Sequence, residues 1–187
     1  MKLISWNVRG CNALEKHCLI KDGLEQMKPD LVCFQETKMS LEEAEMLLKG
    51  WRSWKGFFAS VVGSSGGLGI IWNPILIKVE ELINAHSWQL CKIHSFSINY
   101  DFFLINIYGP MKTNLQLETW KQVCVILNNL SQELVVLGGN FNAILDLTDK
   151  KGGNVGITAS QVGFQNYIAK NGLREVKTNK GCFIWSN

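Results

Sequence analysis

The stretch Val135-Val136-Leu137-Gly138-Gly139-Asn140-Phe141-Asn142 constrains this chain more than any other. An apolar run rich in β-branched residues closes on two glycines, then on a polar-Phe-polar step. Such a run reads as a buried strand that delivers two short polar side chains to the edge of a sheet. The strand fixes their position, and the glycines let another backbone or a phosphate come close.

The rest of the chain says what kind of sheet this is. Residues 2–8 have a strand pattern that ends at Arg9-Gly10. Ala13, His17, Ile20, Leu24 and Met27 recur at steps of four and three, the mark of an amphipathic helix. Lys28-Pro29 ends it, because the residue before proline is pushed out of the helical region. Leu31-Val32-Cys33-Phe34 is then a continuous apolar strand running into Gln35-Glu36-Thr37. A helix followed by a buried strand is an α/β signal. Ser40, with Glu43 three residues on, forms the capping box of a second helix that carries Leu41, Ala44, Leu47 and Leu48.

Residues 57–62 and 68–72 are strand-like and flank Gly63-Ser64-Ser65-Gly66-Gly67. That glycine cluster has no Walker lysine and no strand-to-helix context, so it reads as a hairpin turn and not as a phosphate cradle. Residues 75–81, 89–97 and 101–108 continue the β pattern, with a tight turn at Asn99-Tyr100; strands in succession imply an antiparallel meander. Leu117, Trp120, Cys124, Leu127 and Leu130 mark a third helix. After the opening strand and a polar loop over 146–156, Ser160 caps a fourth helix with Phe164, Tyr167 and Ile168 inward, closed by Asn171-Gly172. Cys182-Phe183-Ile184-Trp185 begins another strand, and the chain stops there.

With 187 residues the chain is long enough for one domain with a sizeable core, so 1–187 is expected to be a single domain, incomplete at its C-terminus. Apolar residues make up 47% and charged residues 19%, which excludes a disordered chain. A net charge of +3 permits a polyanion partner without demanding one. The six cysteines lack zinc-site spacing and read as free thiols, with Cys33 and Cys124 inside apolar patterns. His86 and His94 have no ligand-type neighbours at useful spacing. There is no signal peptide and no membrane-spanning run, which points to an intracellular domain with no membrane partner. No obligate protein partner is implied.

Four strand ends display polar groups: Asn7, Glu36, Tyr108, and Asn140 with Asn142. Carboxylates at strand ends need a partner, and a divalent cation is a common one. Taken in order, Ser5-Trp6-Asn7, Gln35-Glu36-Thr37, Asn106-Ile107-Tyr108-Gly109-Pro110 and Gly139-Asn140-Phe141-Asn142 resemble successive motifs of the endonuclease/exonuclease/phosphatase superfamily. More narrowly, Ser5-Trp6-Asn7-Val8-Arg9-Gly10, Gln35-Glu36-Thr37-Lys38, Gly66-Gly67-Leu68 and Phe183-Ile184-Trp185-Ser186-Asn187 resemble the apurinic-type endonuclease domain of plant LINE-type retrotransposons.

The resemblance implies an α/β fold, a two-sheet β-sandwich flanked by helices in four αββα layers, here expected without its last strands. It implies a Mg²⁺-dependent phosphodiester hydrolase acting on DNA. Glu36 would hold the metal, Asn7 would help to place metal and phosphate, and Tyr108 would hydrogen-bond a phosphate oxygen. Asn142 would orient the phosphate and the attacking water. At position 140 the family carries an aspartate that deprotonates the water, and here Asn140 stands in its place. The family's closing Ser-Asp-His motif has no counterpart in the chain. The expectation is therefore a degenerate DNA endonuclease domain with weakened metal affinity. Two other readings share these residues: a non-catalytic nucleic-acid-binding module, with Arg9, Lys38, Lys112 and Lys150-Lys151 on phosphates, and another phosphoesterase of the superfamily.

Overall fold

The computed structural model describes residues 1–11, 13–59, 61, 66–145, 150–151, 159–176 and 185–186. They fall into two compact units, Met1–Tyr108 with Gln132–Asn140, and Gly109–Ser131 with Phe141–Asn187.

The first unit holds eight strands and two helices: β1 (Leu3–Asn7), α1 (Leu14–Met27), β2 (Leu31–Gln35), α2 (Leu41–Gly50), β3 (Lys55–Ala59), β4 (Leu68–Trp72), β5 (Ile77–Asn84), β6 (Trp88–Ser95), β7 (Tyr100–Tyr108) and β8 (Val135–Asn140). They make two mixed sheets, ordered β1-β2-β4-β3 and β5-β6-β7-β8. In the first, β1 and β2 are parallel, the outcome of the strand-helix-strand order, while β4 runs antiparallel to β2 and β3. In the second, β5, β6 and β7 form the expected antiparallel meander and β8 joins parallel to β7. The second unit contains α3 (Thr113–Asn129), a short parallel pair β9 (Lys150–Lys151) and β10 (Trp185–Ser186), and α4 (Ala159–Lys170). The fold class is the α/β sandwich that the sequence implies, two mixed sheets with four helices.

Alternation along β2 explains how the first sheet is filled on both sides. Leu31 and Cys33, with Ile70 of β4, point toward the second sheet and pack with Ile77, Cys91, Ile93, Phe102 and Leu104. Val32 and Phe34 point the other way, into a cluster with Ile20 and Leu24 of α1 and Ala44 and Leu47 of α2. A strand buried on both faces must be apolar throughout, which is why 31–34 carries no alternation of polarity. The helix signals hold locally as well. Ser40 and Glu43 close both bonds of the capping box on α2, and Lys28 ends α1 in the left-handed region with its N–H on the Leu24 carbonyl.

Several sequence expectations are corrected. β8 is half-buried along its length, because among the described residues it is the last strand of its sheet. The buried stripe of α3 is Gln116, Thr119, Trp120, Val123 and Leu127. Cys124 is half-buried, with the Asn171 amide 3.1 Å from its sulfur. Helix α4 spans Ala159–Lys170, and the side chain of Ser160, the expected cap, lies outside the described residues. Phe164 and Tyr167 are buried as expected, in an aromatic cluster with Trp120. The tight turn before β7 is built on Asn99, at φ +49°. Residues 146–149, 152–158 and 177–184, with most of the polar loop and the start of the last strand, lie outside the described residues, as do residues 62–65 of the expected turn. Cys11, Cys33 and Cys91 are buried and free, and burial pushes the Cys11 and Cys91 thiols up to about 12. No helix of the described residues is long and apolar enough to cross a membrane.

Toward the strand ends the layer between the two sheets turns polar. Gln35, Asn106 and Gln89 are all buried there. Gln35 Nε2 donates to Asn106 Oδ1 at 2.7 Å, and Asn106 Nδ2 lies within reach of Gln89 Oε1 at 3.0 Å and of the Phe34 and Gly69 carbonyls, each at 3.2 Å. Gln89 Nε2 passes the chain to Asn84 Oδ1 at 2.9 Å, and Asn84 Nδ2 donates to the Phe58 carbonyl at 3.1 Å. Removing the Asn106 amide takes the donor away from Gln89 Oε1 and from the Phe34 and Gly69 carbonyls in a buried layer. Asn106→Ala is expected to cost roughly 3 kcal/mol, since each orphaned buried group costs about 1–3 kcal/mol; urea unfolding measures it.

At the far end of the second sheet, the His94 imidazole and then Lys92 hold the exposed Asp101 carboxyl below the usual carboxylate range. A depressed carboxylate contributes stability above its unfolded pKa and loses it as pH falls through its folded pKa. His94→Ala is expected to move the Asp101 titration midpoint upward, read by NMR of its side-chain carbonyl.

Candidate active site

Strand register brings the polar ends together. Asn7 lies opposite Gln35 in the first sheet, and Tyr108 lies opposite Asn140 in the second. Glu36, the residue just past β2, adopts φ +55°. An L-residue in the left-handed region costs about 1–2 kcal/mol, so the surroundings must impose it. They do so from both sides. Val8 and Gly10 donate their N–H groups to the Gln35 and Glu36 carbonyls at 3.0 and 2.6 Å, while the Thr37 and Lys38 N–H groups reach the Gly67 and Gly66 carbonyls at 3.1 and 3.2 Å. Gly67 sits at φ +87°, and a Cβ there would strike Thr37 Oγ1. Gly66 and Gly67 thus hold the backbone of the glutamate loop, a role their sequence did not reveal.

The Glu36 carboxylate is half-buried, and two amides converge on one of its oxygens. Asn7 Nδ2 donates to Oε1 at 2.7 Å, and Asn140 Nδ2 donates to the same oxygen at 3.4 Å. Asn7 is itself oriented by the Arg9 N–H, which donates to its Oδ1 at 3.0 Å. Asn140 is delivered by a close approach of strands. Gly139 sits at φ +151°, and any Cβ there would overlap the Ile107 carbonyl across the ladder. The second glycine of the run is therefore required by sheet packing.

Tyr108 is half-buried at the end of β7, and its N–H donates to the Ser87 carbonyl at 2.9 Å. A Cβ on Gly66 would lie 4.0 Å from the Tyr108 ring and 3.5 Å from the His86 imidazole, so both rings lie beside Gly66. Sequence spacing gave His86 no role; its signal is its place just before β6, whose start is antiparallel to the end of β7. Asn142 belongs to the second unit. Its φ is +47°, its Nδ2 donates to the Gly109 carbonyl at 2.6 Å, and its own carbonyl and that of Phe141 each accept from Gln116 Nε2 at 3.0 Å. Gln116 was missed in the sequence, although it sits one turn before Trp120 on the buried stripe of α3.

Glu36, Asn7 and Asn140 are thus joined by hydrogen bonds, and Tyr108 lies on the rung beside Asn140. A hard divalent cation seeks anionic oxygens, usually one or two carboxylates with water and phosphate. This set offers one carboxylate, with one oxygen already accepting from two amides. Among the described residues no three His, Cys, Asp or Glu side chains come together. The described residues do not fit a tightly held divalent ion.

The strand-end polar cluster on a two-sheet α/β sandwich defines a class, and sequence comparison agrees with it. The Endonuclease/Exonuclease/phosphatase family model matches residues 4–160, and the chain belongs to that family. Enzymes of the family typically depend on a divalent metal. A curated relative, the DNA-(apurinic or apyrimidinic site) endonuclease 2 of Xenopus laevis, is 33% identical over 69 residues, which is 35% of this chain and only 13% of that protein. Two solved structures share the fold. The endonuclease domain of TRAS1, a telomere-specific non-LTR retrotransposon, superposes with a TM-score of 0.68 at 13% identity, over 91% of this chain and 72% of that one. An AP endonuclease from Archaeoglobus fulgidus gives 0.68 at 16% identity, over 91% and 70%.

Gly67→Ala tests the built-in support of Glu36. It combines a left-handed φ with a collision against Thr37, and is expected to destabilise by roughly 1–3 kcal/mol, the scale of a forced backbone outlier. Denaturant unfolding supplies the number, and loss of protection at the Thr37 amide in hydrogen exchange locates it.

Proposed function

We propose that this chain is a DNA-backbone-binding domain of the retrotransposon-endonuclease type in which phosphodiester hydrolysis is impaired. The observation that carries this reading is the Asn140 Nδ2 bond to Glu36 Oε1 at 3.4 Å. Where the resembled family places an aspartate, this chain has an amide that donates toward the glutamate. A carboxamide keeps the volume of aspartate but has no basic oxygen to take a proton from water. General-base catalysis contributes about 10²–10⁴-fold in rate, and the loss is expected on that scale.

In this reading Asn7 orients Glu36, and Tyr108 offers its phenol to a phosphate oxygen. Mg²⁺, the ion that the resemblance implies, would meet a single carboxylate at Glu36, so its affinity is low. Arg9 and Lys38 support the DNA partner: both are exposed and sit on the loops that hold Asn7 and Glu36. The retroelement type rests on the Ser5-Trp6-Asn7-Val8-Arg9-Gly10 opening and the Trp185-Ser186-Asn187 ending. It is supported by the shared fold of the TRAS1 endonuclease domain.

Incubating the chain with supercoiled plasmid and Mg²⁺, alongside duplex-binding measurements across a salt series, tests the proposal. The expected result is binding that weakens steeply with salt and leaves the plasmid intact. Nicking that disappears in Glu36→Gln would refute the impairment, and salt-independent or absent binding would refute the DNA partner.

A further inference from the structure

We infer that His86 is a phosphate-contact residue of this site, donating an imidazole N–H to a backbone phosphate oxygen of bound DNA. The inference rests on the proposed DNA reading and adds a residue that the family motifs do not include.

Its first support is placement. Trp88 of β6 lies opposite Ile107 of β7, and the next step of the ladder is the Tyr108 N–H on the Ser87 carbonyl at 2.9 Å. His86 is the residue beyond that bond, at the same end of the sheet as Tyr108 and Asn140. The loop that carries Glu36 reaches this end too, through the Lys38 N–H on the Gly66 carbonyl at 3.2 Å. Gly66 faces both rings: a Cβ there would lie 3.5 Å from His86 Cε1, 3.8 Å from its Nε2 and 4.0 Å from Tyr108 Cε1. Because position 66 has no side chain, it does not cover the edge of the imidazole.

The second support comes from comparing the three histidines of the chain. The His17 ring is bonded to the Cys11 carbonyl, and His94 is bonded to Asp101 at 2.5 Å. His86 is exposed, and among the described residues its imidazole makes no hydrogen bond. The histidine at the site is therefore the one whose ring nitrogens are uncommitted. Imidazole carries an N–H donor in either protonation state, and phosphate oxygens accept strongly. Tyr108 and His86 would then flank one phosphodiester beside Gly66.

The test uses the full 187-residue chain and a fluorescein-labelled DNA duplex, followed by fluorescence anisotropy at low salt. His86→Ala is expected to weaken binding roughly tenfold, the scale of one hydrogen bond to a charged group, with an unchanged thermal midpoint because the side chain is exposed. His94→Ala is expected to bind like the native chain. A structural role would not move the ring signal itself, so the His86 imidazole resonances are followed as duplex is added; they are expected to shift while those of His94 stay in place. If the native chain fails to bind DNA, both the DNA reading and this inference fall. If it binds, and His86→Ala either binds equally well or loses affinity without any shift of the His86 ring signal, this inference alone falls.

Discussion

The hydrogen bond from Gln35 Nε2 to Asn106 Oδ1, 2.7 Å long and buried between the sheets, is the contact on which the rest of the first unit turns. Each partner stands next to chemistry. Gln35 precedes Glu36 directly, and Asn106 lies two residues before Tyr108 on the same face of β7. Apolar contacts such as those of Leu31, Cys33 and Leu104 resist separation of the sheets but not sliding, because they are not directional. A chain of amides is directional. Asn106 uses its oxygen on one sheet's glutamine and its nitrogen on Gln89 and two backbone carbonyls, so one relative setting of the sheets satisfies all of them. Buried polar groups cost stability when unpaired. Here they tie the strand that leads into Glu36 to the strand that ends at Tyr108.

From that anchor the site follows as a series of enforced local choices. Glu36 is held in the left-handed region by two loops, and its carboxylate faces the ends of β1 and β8. There it accepts from Asn7 and Asn140. Two carboxylates at this spacing would repel, and a cation would be needed to hold them together. An amide at 140 removes that requirement and supplies a donor instead. On the proposed reading, the same substitution that removes a proton acceptor also lets the pocket assemble without an ion.

Much of this was legible in the sequence. The capping box at Ser40, the end of α1 before Pro29, the doubly buried β2 and the antiparallel meander all rest on local rules, and local rules decided them. So did the polar strand ends, because strand periodicity and a terminal glycine or turn place a side chain without further context. What escaped was pairing across elements. Gln35, Gln89 and Asn106 fall on inward positions by the alternation of Cys33, Cys91 and Leu104, yet alternation says nothing of which amide will face which. Gln116 escaped for a related reason: a polar residue on a helix stripe reads as a break in the stripe until the Phe141 and Asn142 carbonyls are seen to need it. His86 has no motif, and only the antiparallel register of β6 and β7 brings it beside Tyr108.

The most direct test of this account is a calorimetric titration of Mg²⁺ into the metal-stripped chain, compared with the same titration into Asn140→Asp. The account predicts no saturable binding by the native chain and a binding isotherm in the variant, where a second carboxylate replaces the amide donor on Glu36. Saturable one-to-one binding by the native chain, lost in Glu36→Gln, would contradict it.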